Sequence, residues 1–338
     1  MLERVAVAPP APAPAPARRR ATTAEFLARH GAAVALIVLL LLALVTTPNF
    51  LSLRTLNVNL TQVAGIVIMA LGMTLVVATG GIDLSVGSLM AIAGALAPML
   101  FLGQLLPLPA PWVGVALALT VPVLLTGALG WVNGWLVTRY RIQPIVATLV
   151  LLIAGRGIAQ VITNGNLQAF RNPAFQVIGL GRLLGLPVQV WLMAALVLLF
   201  AWVVRRTLFG RQVLAVGGNE RAARLAGVPV ARVKRLVYVI SGLCAGVAGL
   251  VVIAINSASD ANLVGLGMEL DAIAAVAVGG TALSGGRARI GGTLVGALVI
   301  QMVRCILLAL GVPDAAALVA KAGLIIGAVW LQRQGRPG

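Results

Sequence analysis

The sequence predicts an all-α, polytopic membrane protein of about ten transmembrane helices, and three observations carry that reading. Of 338 residues, 60% are hydrophobic and only 10% charged, with a mean hydropathy of +1.05. A soluble globular chain carries about 25% charged residues. Apolar runs recur along the chain, most of them near the ~20 residues that span a bilayer as a helix. The basic residues, source of a net charge of +17, gather in every second gap between those runs. That scatter, with only 4% aromatic residues, excludes a stacking platform for nucleic acid.

Taken in order, residues 1–25 read as a disordered Pro/Ala-rich cytoplasmic tail, PPAPAPAPARRR, and residues 26–338 as one transmembrane domain. The tail is not a secretory signal, because Pro-Ala repeats precede the basic cluster and no cleavage site follows the apolar run. Candidate spans are Gly31–Thr47, Asn59–Thr79, Leu84–Gly103, Trp112–Val137, Pro144–Thr163, Gln189–Val204, Leu236–Asn256, Asp271–Ser284, Ile290–Leu310 and Ala315–Leu331. The third begins in a glycine-rich run and the eighth is short, so broken or half-length helices are expected at both. With the N-terminus inside, the inner segments hold Arg4, Arg18, Arg19, Arg20, Arg29, Arg139, Arg141, eight basic residues between Arg205 and Arg235, Arg287, Arg289, Arg333 and Arg336, nineteen in all. The outer segments hold three: Arg54, Arg171 and Arg182. This bias predicts that both termini are cytoplasmic, in the manner of a bacterial inner-membrane protein.

Three polar stretches interrupt the apolar pattern. GGIDLSVGS, Gly80 to Ser88, sets Asp83, Ser85 and Ser88 among glycines between two apolar segments. An ionisable group there is costly unless it faces protein or water. Asp83 has two readings that can coexist: capping a helix start or pairing with Arg156, Arg304 or Lys321, and lining a translocation path. The second stretch, Arg205 to Arg235, is the longest cytoplasmic loop and contains GGNERAARLAGVPV. Asn219 suits an N-cap, Glu220 the first turn, Gly227 the helix end, and Pro229 stops continuation. A two-turn helix over Glu220–Ala226 is expected outside the membrane, its basic face (Arg221, Arg224) available to lipid headgroups or a partner protein. The segment Asn219, Glu220, Arg221, Ala222, Ala223, Arg224, Leu225, Ala226 and Gly227 is thus a candidate docking element.

The third stretch, Met268 to Gly292, places Glu269 and Asp271 at the head of an apolar run and three Gly-Gly pairs behind it. The acids either start a helix or mark a docking point or path mouth on the outer side. Arg156, flanked by glycines in AGRGIAQ, either pairs with an acid or serves the path. GG-x-x-L-S occurs at both Gly80 and Gly279, a pattern that an internal repeat or chance accounts for equally.

Other chemistries lack their residues. The one histidine, His30, lies at the edge of the first span, so a Ser-His-Asp triad has nowhere to form. Cys244 and Cys305 have neither metal-ligand nor disulfide spacing. Lys234 and Lys321 follow Val233 and Ala320, so there is no P-loop and no ATP site. No span pairs acids in the way an ion relay would.

The runs GGIDLSVGSLMAIAGA, IQPIVATLVLLIAGRG, AVGGNERAARLAGV and ELDAIAAVAVGGTALSGGRARIGGTLVGAL, in this order from Pro48 to the C-terminus, resemble the permease subunits of bacterial ABC importers for monosaccharides, the ribose-type group. The resemblance implies two permease subunits, identical or paralogous, forming a pore, a cytoplasmic ATPase that binds the ATP, and a periplasmic sugar-binding protein. It also implies that Asn219–Val228 carries the helix that inserts into the ATPase. AGRGIAQVIT, SGLCAGVAG and SDANLVGLGMELDAI are closer to the galactofuranose-type branch. The chain is then neither an enzyme nor a cofactor binder. The competing expectations are a branched-chain amino-acid permease and an ion-coupled carrier acting alone.

Overall fold

The computed structural model describes residues 23–105 and 110–312, with positions 319, 322 and 323. The described chain is a bundle of helices: α1 (Thr23–Thr46), α2 (Leu53–Ala78), α3 (Val86–Phe101), α4 (Pro111–Arg139), α5 (Pro144–Thr163), α6 (Pro173–Leu180), α7 (Val188–Arg206), α8 (Leu208–Gly218), α9 (Glu220–Leu225), α10 (Val230–Asn256), α11 (Met268–Val278) and α12 (Ile290–Ala309). Among them α2, α4, α5, α7, α10 and α12 are long and apolar enough to cross a membrane. Gly31–Thr46 and α3 are apolar but shorter. All but three positions of the predicted span Ala315–Leu331, and all but the last three residues of the predicted tail, lie outside the described residues. Those last three, 23–25, are the first residues of α1 rather than tail.

The centre of the bundle is α2. From Val63 to Ala78 every residue is buried, so this helix is apolar all round because protein surrounds it. Against it pack α10, α12, α11 and α7, while α3 sits between α4, α5 and α10. The α4–α10 seam shows how such close packing is reached. A Cβ at Gly130 would strike the Tyr238 carbonyl, one at Gly242 the Thr126 carbonyl, and one at Gly134 would lie 2.8 Å from the Arg235 Cα. With no hydrophobic drive between helices in lipid, such glycine faces let backbones make the van der Waals contacts that hold a bundle together.

The helix ends follow local chemistry. Ser52 caps α2 by accepting from Thr55 N at 3.1 Å, and Asn172 caps α6 by accepting from Phe175 N at 3.2 Å. Helix α2 ends in a Schellman turn, with Gly80 N donating to Val77 O and Gly81 N to Val76 O, and α11 repeats it with Gly280 N to Ala277 O and Thr281 N to Val276 O. Both turns use a glycine at φ +79°. The structural equivalence therefore pairs Gly80 with Gly280, one residue away from the Gly80–Gly279 match in the written GG-x-x-L-S pattern.

The expected breaks are present: α3 begins only at Val86, and α11 has 11 residues. Elsewhere the structure differs from expectation. The Arg205–Arg235 loop is largely helical, since α8 fills Leu208–Gly218 and α10 starts at Val230, six residues before the predicted Leu236. Arg232, Lys234 and Arg235 end the apolar stretch, but they do not stop a helix that continues past it. Two two-residue antiparallel pairings also occur, β1 (Gln168–Ala169) with β4 (Ala258–Ser259) and β2 (Arg182–Leu183) with β3 (Leu186–Pro187).

Candidate functional site

Three places hold the predicted residues. The first is the break between α2 and α3. Asp83 is fully buried. Its Oδ1 accepts from Ser85 N at 3.0 Å and Ser85 Oγ at 2.6 Å, and its Oδ2 accepts from Ser241 Oγ of α10 at 2.8 Å. Asn133 of α4 donates to Ser85 Oγ at 2.9 Å. Asp83 thus forms an Asx-type turn onto the residue two positions on and ties three helices together, rather than capping the N–H groups inside α3. Ser88 Oγ reaches the Leu151 carbonyl of α5 at 3.0 Å, and Thr148 Oγ1 of α5 the Ile82 carbonyl at 3.3 Å. Arg156 is committed elsewhere, and Lys321 lies outside the described residues.

The second place is the segment 257–271. After α10 ends at Asn256 the chain runs non-helically to Gly267 and then starts α11. Arg156 of α5 clamps this segment: its Nη1 donates to Ala261 O at 2.9 Å and Val264 O at 2.6 Å. Glu269 and Asp260 are the acids whose charges it feels. Glu269, half-buried in the first turn of α11, presses Oε2 against the Cα side of Gly87, where a Cβ would collide with it. Asp271 is buried in the same turn. Two acids in the first turn suit the positive end of the helix.

The third place is the α8–α9 loop. Asn219 Oδ1 accepts from Ala222 N at 3.0 Å, making the predicted N-cap of α9. Gly227, at φ +81°, closes the helix with another Schellman turn, Gly227 N to Arg224 O and Val228 N to Ala223 O. Glu220 accepts from Lys234 Nζ of α10 at 2.6 Å and from Arg224 Nη2 at 3.1 Å. The hydrogen bond from Lys234 holds the Glu220 carboxyl below the ordinary 4.5, against the opposing pull of partial burial. Ala223 faces inward, while Arg221, Ala222, Arg224, Leu225, Ala226 and Gly227 are exposed, Leu225 at 90%. Among the described residues no large apolar side chain is more exposed than Leu225.

This loop touches the membrane-spanning bundle backbone to backbone. A Cβ on Gly217, at the end of α8, would overlap the Ala78 carbonyl at the end of α2, with Gly286 N at 2.5 Å. Gly286 N itself donates to Ala78 O at 2.9 Å. The ends of α2 and α8 and the turn after α11 therefore meet at one point, five residues before Asp83.

A profile described as the permease component of the branched-chain amino acid transport system matches residues 54–329. The chain belongs to this permease family. Among curated relatives, the permease is 42% identical over 316 residues to the ribose import permease protein of Escherichia coli (strain K12), covering 92% of this chain and 95% of that one. It is 44% identical over 277 residues to the galactofuranose transporter permease protein of the same strain, covering 81% of this chain and 78% of that one. With the L-arabinose ABC transporter permease protein of Azospirillum brasilense it shares 35% over 312 residues, 92% of this chain and 89% of that one. No solved structure matches.

Sequence reasoning missed several residues of the permease that the fold brings to these places. Ser241, 158 residues from Asp83, and Asn133, 48 residues from Ser85, complete the cluster. Both are polar residues inside apolar runs, a signal the sequence did contain. Gln160 and Asn262, hydrogen-bonded at 2.8 Å, join the second place. Gly217 carried no signal beyond being one of 39 glycines.

Proposed function

We propose that the chain is the membrane-spanning permease subunit of an ATP-driven importer for a monosaccharide, galactofuranose or a related pentose or hexose. The observation that carries this is the run of sugar permeases among relatives sharing 35–44% identity over most of the chain. In this reading the chain crosses the bacterial inner membrane about ten times: the six long helices, α1, α3, the half-length α11, and the span after α12. Both termini lie in the cytoplasm. Two such subunits, identical or paralogous, enclose the path, a periplasmic binding protein delivers the sugar, and a separate ATPase binds and hydrolyses ATP. The exposed α9, with Leu225 at its tip and Arg221 and Arg224 beside it, docks in that ATPase as the coupling helix of residues 205–235. Closure of the ATPase pushes α9. The Gly217–Ala78–Gly286 contact then passes the push to the ends of α2 and α11.

The test is reconstitution in proteoliposomes with a candidate ATPase and secreted binding protein sought among the neighbouring genes, scored for labelled D-ribose, L-arabinose and D-galactose. Uptake that needs all three components and ATP is expected. Uptake by the permease alone would point to an ion-coupled carrier, and uptake of leucine in place of any sugar to the amino-acid branch that the family description names.

A further inference from the structure

We infer that the non-helical segment 257–267 lines the transport path from its outer end down to membrane depth, and that Asn262 and Gln160, toward that outer end, contact the hydroxyls of the passing sugar. This rests on the proposed function and adds the place and the residues. The depth follows from packing. Met268, where α11 starts, has its methyl 3.8 Å from the Cβ position of Gly65, the thirteenth of the 26 residues of α2. Gly265 abuts Gly87, the second residue of α3. Arg156, which grips Ala261 O and Val264 O, is the thirteenth of the 20 residues of α5, about 18 Å along that helix at 1.5 Å per residue. The segment therefore leaves the end of α10, dips to mid-bundle, and continues as α11 toward the end of α2, where Gly286 meets Ala78.

Irregular backbone facing hydrocarbon does not occur, because its polar groups would go unpaired. At that depth it is buried in protein or faces water. One side of this segment is buried: Ala261, Val264 and Gly265 pack inward. The other is not, since Asn262, Leu263 and Leu266 are exposed. The exposed side bears the chemistry a sugar uses. Gln160 Nε2 donates to Asn262 Oδ1, and Asp260 Oδ1 accepts from both Asn262 N at 2.8 Å and Nδ2 at 3.0 Å. Side-chain amides and a carboxylate can trade these mutual bonds for sugar hydroxyls, and leucines beside them suit the apolar face of a pyranose or furanose ring. Arg156 is a positioning residue here, since its Nη1 holds the backbone that presents Asn262.

The test uses the complete importer in proteoliposomes. Asn262→Cys is placed in a Cys244→Ala, Cys305→Ala background, with Leu198→Cys on α7 as the lipid-facing reference. A charged, membrane-impermeant methanethiosulfonate is expected to label position 262 and to cut sugar uptake at least fivefold. Asn262→Leu and Gln160→Leu are expected to lower uptake of the sugar panel severalfold while binding-protein-stimulated ATP hydrolysis continues, a futile cycle that misfolding would not leave intact. No labelling at 262 overturns the path assignment and indicates a second subunit packed over the segment. Labelling with uptake unchanged in both leucine variants overturns the sugar contact. Failure of the unmodified complex to take up any sugar is a different result and falls on the proposed function.

Discussion

Asp83 and Glu220 each stand at the head of a helix and are each held by three contacts or fewer, yet their settings are opposite. Asp83 is fully buried and is satisfied by neutral donors: a backbone N–H and the hydroxyls of Ser85 and Ser241. Glu220 is partly exposed and is satisfied by two cations, Lys234 and Arg224. In a low-dielectric interior a carboxylate must be fixed by donors that cannot leave, which makes the α2–α3 break a rigid knot. At the exposed loop the ion pairs are screened and exchangeable, which suits the docking role proposed for it. One region is buried and fixed, the other exposed and exchangeable, and Gly217 joins them.

The largest effect is expected from breaking that joint. Gly217→Val puts side-chain atoms where the Ala78 carbonyl already stands, and neither backbone can yield cheaply. Overpacking of this kind costs about 1–3 kcal/mol. ATP-driven uptake should fall to background while the α9 surface stays capped and able to bind the ATPase. Pulldown of the ATPase alongside uptake checks both halves.

Next is the knot itself. Asp83→Asn keeps the shape but presents a donor where the carboxylate accepted, leaving one of its three hydrogen bonds poorly matched. A loss of about 1–3 kcal/mol is expected for a buried group so altered. Transport should drop several-fold with the assembled complex still recoverable in detergent, read by thermal unfolding and uptake together. Collapse of assembly would mean that the knot is needed for folding rather than for the transport cycle.

How far the chain could be read beforehand differs between these same regions. Where one helix makes its own signal, the sequence was legible: Asn219, Gly227 and the apolar runs of α2, α4 and α12 all sit where their local chemistry predicts. Boundaries set by tertiary packing were not. Helix α10 runs back to Val230, past the apolar run, and brings Lys234 onto Glu220, 14 residues away, a pairing that no periodicity encodes. Helix α6 hid in the connection between two predicted spans, announced only by Asn172-Pro173. The fully buried character of Asp83 depended on Ser241 and Asn133 arriving from two other helices. The GG-x-x-L-S likeness was real as text but out of register by one residue, because a Schellman turn places glycine by φ and not by spelling.

A third variant, Gly227→Val, tests the docking side alone. Nothing lies within 4 Å of the added Cβ, so the cost is that of a left-handed φ of +81°, roughly 1–2 kcal/mol, confined to α9. Stimulation of ATP hydrolysis by loaded binding protein should fall while the thermal unfolding of the bundle is unchanged. Normal stimulation would remove α9 from the coupling role.

The smallest effect is the pH response of the Glu220 clamp, and it separates the two carboxylates most directly. The folded-state pKa of Glu220 is depressed below 4.5, with the hydrogen bond from Lys234 as the leading cause. A depressed carboxyl stabilises fully above its ordinary value and loses that contribution as pH falls through the lowered one. At such exposure the contribution is about 0.5 kcal/mol or less. Amide hydrogen exchange in α9, corrected for its intrinsic pH dependence, should therefore be flat from pH 7 to 5 and quicken below the ordinary carboxyl range. Glu220→Gln should show the quickened rate at every pH, since a neutral amide cannot hold Lys234 by charge. Amides of α3 beside Asp83 should not follow the same curve, because the donors there are locked in the bundle and not drawn in by an ion pair.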